Sequence, residues 1–322
     1  MQNYLKHFGS LAVFFVAAIL YDRFKLHELN NTNNHNYHLI HKYLLNNTSD
    51  TNNLPILWIH VNYEYNARLW SSFGSRSSDK LNQPYLFLTI KSIIDQCGKD
   101  FNICLINDNS FEQILPNWTI DFSRLSSPVK DKVRNLALTR TLYYYGGITI
   151  PASFLCMKPL GQVYKQMTAE DKIVVGELVD RNSTSTYTNF FPSHKIIGCR
   201  HGCKTMKELC SIIERIISDD YTDESTFLGL EDQHLLSFLF TNKANQIDAK
   251  LLGVEDIYGK VVDIDRLIGN SHIPFDTNLY GIYIPSDEIL KRTAYQWFAR
   301  LSASQAMSSN TNIGELLRSS SI

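Results

Sequence analysis

Residues 134–160 read RNLALTRTLYYYGGITIPASFLCMKPL, and the changes of texture along this stretch decide the fold. Val133, Leu136, Ala137 and Tyr144 recur at helical spacing, which predicts a helix over about 131–145. Gly146-Gly147 stops it, because only glycine enters the left-handed conformations that end helices at no steric cost. The triplet Ile148-Thr149-Ile150 then reads as a strand. After Pro151-Ala152-Ser153 a second short apolar run, Phe154–Met157, leads to Lys158-Pro159-Leu160.

The same grammar extends upstream. Pro55–Val61 (PILWIHV) has the form of a buried strand behind a proline. Asn82 is placed to cap a helix with Pro84 in its first turn, Leu86, Ile90, Ile93 and Ile94 on its apolar face, and Gly98 at its end. Phe101–Ile106 is a second strand, and Asn107-Asp108-Asn109-Ser110 reads as a turn and cap before a short helix reaching Leu115. Strand, helix, strand within some 50 residues is a βαβ unit, which requires a parallel sheet with both faces covered. Ligands bind such sheets beyond the carboxyl ends of the strands, so His60–Tyr63 and Asn107–Asn109 should line the mouth. Downstream, Lys172–Val175 and the weaker Ile196–Gly198 are strand candidates. Met206, Leu209, Cys210, Ile213, Ile216 and Ile217 mark the buried face of one helix, and Leu235, Phe238 and Leu239 that of another over 231–240. From Ala303 onward Ser and Asn dominate, and residues 301–322 read as a solvated tail.

The first 53 residues differ in kind. Phe8–Tyr21 (FGSLAVFFVAAILY) is fourteen residues without a charge, short of the roughly 20 a spanning helix needs unless His7, Arg23 and Lys25 snorkel. Residues 1–25 are read as a hydrophobic helix anchoring the chain in a membrane through residues 8–24; a cleaved signal peptide and an ordinary buried helix are the other readings. Lys6 and the amino terminus balance Arg23 and Lys25, so orientation is undecided. Residues 26–53 are rich in Asn and Thr and form a tether. Its Asn-rich sequons, like those at Asn117 and Asn182, are no more than such a composition produces by chance. The chain as a whole has 322 residues, 31 Lys+Arg against 32 Asp+Glu, and 44% hydrophobic residues. That is enough to bury a core, and the balanced charge gives no general attraction to nucleic acid.

The order of parts resembles the GT-A glycosyltransferases, in particular the group of capsular-polysaccharide-synthesis and mannosyltransferase-like enzymes. Tyr143-Tyr144-Tyr145-Gly146-Gly147 and Lys158-Pro159-Leu160 match that pattern, PILWIHV is similar to its first strand, Leu105-Ile106-Asn107-Asp108-Asn109 to its second strand and turn, and Glu231-Asp232-Gln233 to its late acidic motif. The resemblance implies a GT-A-like, mainly parallel α/β domain over 54–300 with helices on both faces. It implies a nucleotide-sugar site drawn from Trp58, His60, Asp108, Arg134, Asn135, Arg140, Gly146, Gly147, Ser153 and Lys158. Asp232, Glu231 and His234 are the candidates for the general base that an inverting transfer needs.

Departures from the pattern carry equal weight. The family's acidic motif holds Mn²⁺ or Mg²⁺ against the leaving diphosphate, and here that position is Pro151-Ala152-Ser153. On the helix, Asn135 stands in place of an Asp and Leu138 in place of an Arg. No metal and no cofactor is therefore expected, unless ligands outside the motif supply a site for Mn²⁺ or Mg²⁺. Two functions follow. One is a silent glycosyltransferase-like module on a membrane, facing a secretory lumen or belonging to a virion envelope, with protein partners. The other is an active transferase in which Lys132, Arg134, Arg140, Lys158 and Arg181 replace the metal. Cys199, His201, Cys203 and Cys210 lack the paired spacing of a strong zinc site; the three cysteines read chiefly as free thiols, with a Cys199–Cys203 or other disulfide as the further reading.

Overall fold

The computed structural model describes residues 43–45, 54–61, 83–181, 183–219 and 229–320. The chain divides into two compact units, Met1–Lys42 and Tyr43–Ile322, and the described residues all belong to the second. The expected anchor and most of the tether, as well as Asn82, lie outside them. Among the described residues no helix is long and apolar enough to cross a membrane.

Helices of five residues or more are numbered. Along the chain these elements are β1 (Ile56–His60), α1 (Leu86–Cys97), β2 (Asn102–Ile106), α2 (Val129–Tyr145), β3 (Gly147–Thr149), β4 (Phe154–Cys156), α3 (Gly161–Met167), β5 (Ile173–Val179) and β6 (Phe190–Cys199). They continue with α4 (Lys204–Ser218), α5 (Leu230–Phe240), β7 (Ala244–Ile247), α6 (Ile264–Ile268), β8 (Gly281–Tyr283), α7 (Ser286–Lys291), α8 (Ala303–Ser308) and α9 (Asn312–Ser320). Six strands form one sheet in the order β2-β1-β3-β6-β5-β7, and β4 pairs with β8 in a second, two-stranded sheet.

The central sheet is mainly parallel. β1 runs parallel to β2 and β3, and β5 parallel to β7, whereas β6 is antiparallel to both β3 and β5. The expected Ile196–Gly198 strand is the end of a ten-residue one; the polar residues Ser193, His194 and Lys195 in its middle separate Phe190 and Phe191 from Ile196 and hid the full strand from a reading by apolar runs. Successive side chains of β1 point to opposite faces. Leu57 and Ile59 join the core with Ile90, Ile93 and Cys97 of α1, while Trp58 meets Tyr145 of α2 edge to face at 5.7 Å. Ile56–Ile59 are consequently all fully buried, as a strand covered on both sides must be. On α2 the buried aromatic is Tyr145, with Tyr144 only half-buried.

Two domain boundaries move. Leu44 bridges Cys104 on the open edge of β2, and Leu45 N donates to Ile103 O at 2.8 Å, so residues assigned to the tether belong to the folded unit. The tail expected to be solvated is helical, and Ala306, Ile313 and Leu317 sit fully buried in a core with Leu155, Ile264, Ile282 and Phe298. The Ser and Asn residues that suggested solvent cap and flank these helices: Ser302 and Gln305 form a capping box at α8, and apolar residues spaced for one helix face supply the burial.

Candidate functional site

β2 and β3 flank β1 on opposite sides, so the strand order reverses at β1 and the loops leaving its carboxyl end diverge, the position where open α/β sheets hold ligands. His60 ends β1. Asp108 follows β2, held by a capping box in which Asn107 accepts from Ser110 N and Ser110 accepts from Asn107 N. From the first turns of α2, Arg134 grips Asp108 with its fork, Nε donating to Oδ1 at 2.8 Å and Nη2 to Oδ2 at 2.7 Å. Its Nη1 donates to Asp131 Oδ1 at 2.9 Å. His60 Nε2 lies 3.0 Å from Asp108 Oδ1, and its ring stacks on Phe111 with centroids 5.5 Å apart.

Burial pushes the Asp108 carboxyl up, but the Arg134 fork and the His60 contact outweigh it and hold the group well below the usual carboxylate range. Burial lowers His60, with Asp108 opposing and Arg134 adding to the effect, so the imidazole favours its neutral form. The cluster is a rigid, hydrogen-bonded wall in which Asp108 and Arg134 are mutually neutralised.

A second group lies deeper between α2 and α5. Lys132 donates through its ammonium to Glu231 Oε2, both side chains being almost wholly buried. Asn135, one helical turn on, donates to the other oxygen of Glu231. Asp232 Oδ1 accepts from the backbone N of His194 on β6 at 3.2 Å, and His194 Nδ1, 3.7 Å from the same oxygen, has no hydrogen-bond partner among the described residues. His194 was not signalled by the sequence, because a lone His within an alternating strand carries no spacing rule. Of the three candidate bases, Glu231 is locked by Lys132 and Asn135. His234 is half-buried, its imidazole lowered by burial and then by Arg215 of α4, so it belongs to the α4–α5 contact. Asp232 is the one beside β6.

The motif position lies between β3 and β4. Ala152 O accepts from Thr89 Oγ1 of α1 at 2.6 Å and Ser153 O from Ile284 N at 3.3 Å. Ser153 is buried, and among the described residues no three His, Cys, Asp or Glu side chains come together as a possible ligand set. Pro151 and Ser153 offer no anionic oxygen, so the residues here do not fit the divalent cation that the resemblance implies. The cations expected to replace it are all engaged: Lys132 with Glu231, Arg134 with Asp108 and Asp131, Arg140 with Glu214 at 2.7 Å, and Arg181 with Glu288 at 3.0 Å. Lys158 donates to Thr277 O at 2.6 Å instead of joining the cluster.

Several residues expected at the nucleotide-sugar site have other work. Trp58 is fully buried, and its Nε1 donates to Gly146 O at 2.9 Å, leaving nothing to meet a ligand. Gly146 and Gly147 lie at the amino end of β3, beside Ile56 and His201 and opposite the mouth. A Cβ on Gly147, at φ +98°, would stand 2.0 Å from Ile56 O, and one on Gly146, at φ +70°, 2.6 Å from His201 N. The pair is glycine so that α2 can turn into the sheet at close quarters. Arg140 lies six residues after Arg134, about 120° around the helix, and packs over Trp118 against α4. Cys199, Cys203 and Cys210 are buried free thiols.

No family model matches the chain, and no curated protein matches it. Among solved structures it is similar to a glycosyltransferase involved in glycosylation of the major capsid of PBCV-1, at 9% identity and a TM-score of 0.33, over 61% of this chain and 84% of that one. It is also similar to the glycosyltransferase GlyE of Streptococcus pneumoniae TIGR4, at 12% identity and a TM-score of 0.40, over 83% of this chain and 62% of that one. The galactosyltransferase LgtC, solved with donor and acceptor sugar analogs, matches at 10% identity and a TM-score of 0.37, over 82% of this chain and 95% of that one. Overlaps this loose fix neither the fold family nor the activity.

Proposed function

We propose that the unit beginning at Tyr43 is a glycosyltransferase-like domain that no longer transfers sugar and serves as a structural or interaction module, held at a membrane through residues 8–24. One observation carries this reading. Where the family pattern needs a carboxylate-bound cation the chain has Pro151, Ala152 and a buried Ser153; of the five cationic side chains that could stand in for the metal, Lys132, Arg134, Arg140 and Arg181 are already paired with carboxylates, and Lys158 is turned to Thr277 O. Electrostatic stabilisation of the departing diphosphate commonly supplies most of the rate enhancement in such catalysis. The His60–Asp108–Arg134 wall remains at the mouth, but its fork is spent on Asp108.

The test is to incubate the full chain with UDP- and GDP-sugars, with and without Mn²⁺, and to measure nucleoside diphosphate release alongside calorimetric binding. No release above the blank is expected in either condition. Turnover without added metal would establish the alternative of metal-free transfer, and turnover dependent on Mn²⁺ would show that a ligand set is completed elsewhere in the chain. Membrane attachment is checked separately, by asking whether deletion of residues 8–24 moves the protein from the membrane to the soluble fraction.

A further inference from the structure

A cavity of about 890 Å³ has no residue of the His60–Asp108–Arg134 wall in its lining. It opens between the start of β6 and the loops around α6, with Asn189, Tyr258, Lys260, Asp263, Arg266 and His272 among its lining residues. Its volume lies within the roughly 300–1,000 Å³ of small-ligand sites, but its walls are polar: Val261 is the one aliphatic side chain among the described residues lining it. An apolar ligand would find little to bury there.

The walls are held from behind by two buried polar side chains whose hydrogen bonds go to the groove's own residues. Asp256, 2% exposed, accepts from Tyr258 N at 3.0 Å, Lys260 N at 2.9 Å and Arg266 Nη2 at 2.7 Å. Asn312, 6% exposed and at the start of α9, donates through Nδ2 to Arg266 O and Ser271 O, each at 2.8 Å, and its backbone N donates to Gly269 O at 2.7 Å. Burying two polar groups is costly unless they are fully bonded. Here the bonds set the backbone of an open groove, an arrangement that preorganises a site. The carboxy-terminal segment is thereby part of the groove's frame.

The groove's chemistry selects the ligand. Lys260, Arg266, Asp263 and Asp265 all line the groove, so the formal charges of the lining cancel, and the Arg266 guanidinium is already committed to Asp256 and to Val261 O at 2.9 Å. A phosphate or other anion would have to compete with two carboxylates. The exposed lysine, histidine, asparagine and serine side chains instead present donors and acceptors in mixture, as sugar hydroxyls require. At the rim Tyr258 is 81% exposed, a flat ring on which the apolar face of a pyranose can lie.

We propose that this groove binds a neutral oligosaccharide, with Tyr258 as the stacking platform and Lys260, Asn189 and Asp263 as hydroxyl partners. The assignment goes beyond the silent-transferase reading and does not depend on it: sugar turnover would overturn that reading and leave this one standing.

The test is saturation-transfer NMR on the full chain, without nucleotide, using maltotriose, mannotriose, chitotriose and lactose as probes at millimolar concentration. At least one is expected to receive saturation. Tyr258→Ala should weaken its binding by about three- to tenfold, the worth of one aromatic contact, and Lys260→Ala should also weaken it. Both positions are exposed, and circular dichroism checks that the variants remain folded. Absence of transfer to all four sugars overturns the proposal. So does binding that both variants retain unchanged, or a bound sugar displaced by equimolar inorganic phosphate, which would make the groove an anion site.

Discussion

Replacing Glu231 with Gln separates a structural carboxylate from a catalytic one. Glu231 and Lys132 are 3% and 2% exposed and face each other across the α2–α5 contact. Glutamine keeps an oxygen for Asn135 but turns its amide, also a donor, toward the ammonium. Removing one partner of a buried ion pair costs about 3–5 kcal/mol, because the remaining charge is stranded where water cannot reach it. At about 2–4 °C per kcal/mol for a domain of this size, the melting temperature should fall by roughly 6–20 °C. Adding Lys132→Met removes the stranded charge, so the double variant should recover a large part of the loss despite one imperfectly bonded amide. Thermal and urea unfolding of parent, both single variants and the double variant measure the coupling directly. If Glu231→Gln unfolds within about 1 kcal/mol of the parent, the buried pair is not what holds α5 to α2. The carboxylate would then be available for chemistry after all.

Deleting residues 302–322 should destabilise the protein by about 4 kcal/mol or more, since Ile313 and Leu317 alone are two fully buried aliphatic side chains; a solvated tail would be lost without change in urea midpoint. Gly147→Ala should abolish folding to the native state, read as loss of soluble protein, because its Cβ would meet Ile56 O at 2.0 Å with φ at +98°. Asp108→Asn should cost about 1.5–3 kcal/mol at neutral pH, the worth of a charged hydrogen bond. Asp108's folded pKa is depressed, so its contribution is complete above the unfolded value of about 3.9 and is lost as the pH falls below that toward the folded value. The gap between parent and variant in urea midpoint should therefore narrow only below about pH 4. His60, also depressed, makes the parent lose stability from a higher pH, below about 6.5, where the unfolded imidazole takes up a proton that the buried ring resists.

Local pattern was enough for the skeleton. The apolar run at 55–61, the capping residues Asn107 and Ser110, the stripe on α2 and the Gly-Gly stop each act over a few residues, and each gave an element within a residue or two of its observed bounds. The sequence alone also shows that Pro151 and Ser153, at the position where the resemblance would put an acidic motif, carry no carboxylate in any fold. It could not say which charges meet. Arg134 and Arg140 look equivalent along the chain, yet 120° of helix rotation sends one to Asp108 and the other to Glu214. Trp58 reads as a binding aromatic until β1 is seen to be covered on both faces. The tail reads as solvated until α8 and α9 supply Ala306, Ile313 and Leu317 to a core assembled from residues far away in sequence. Secondary structure follows from contacts a few residues apart, which one sequence displays, whereas ion pairing, burial and the polar groove depend on contacts between distant segments, which exist only after the chain has folded.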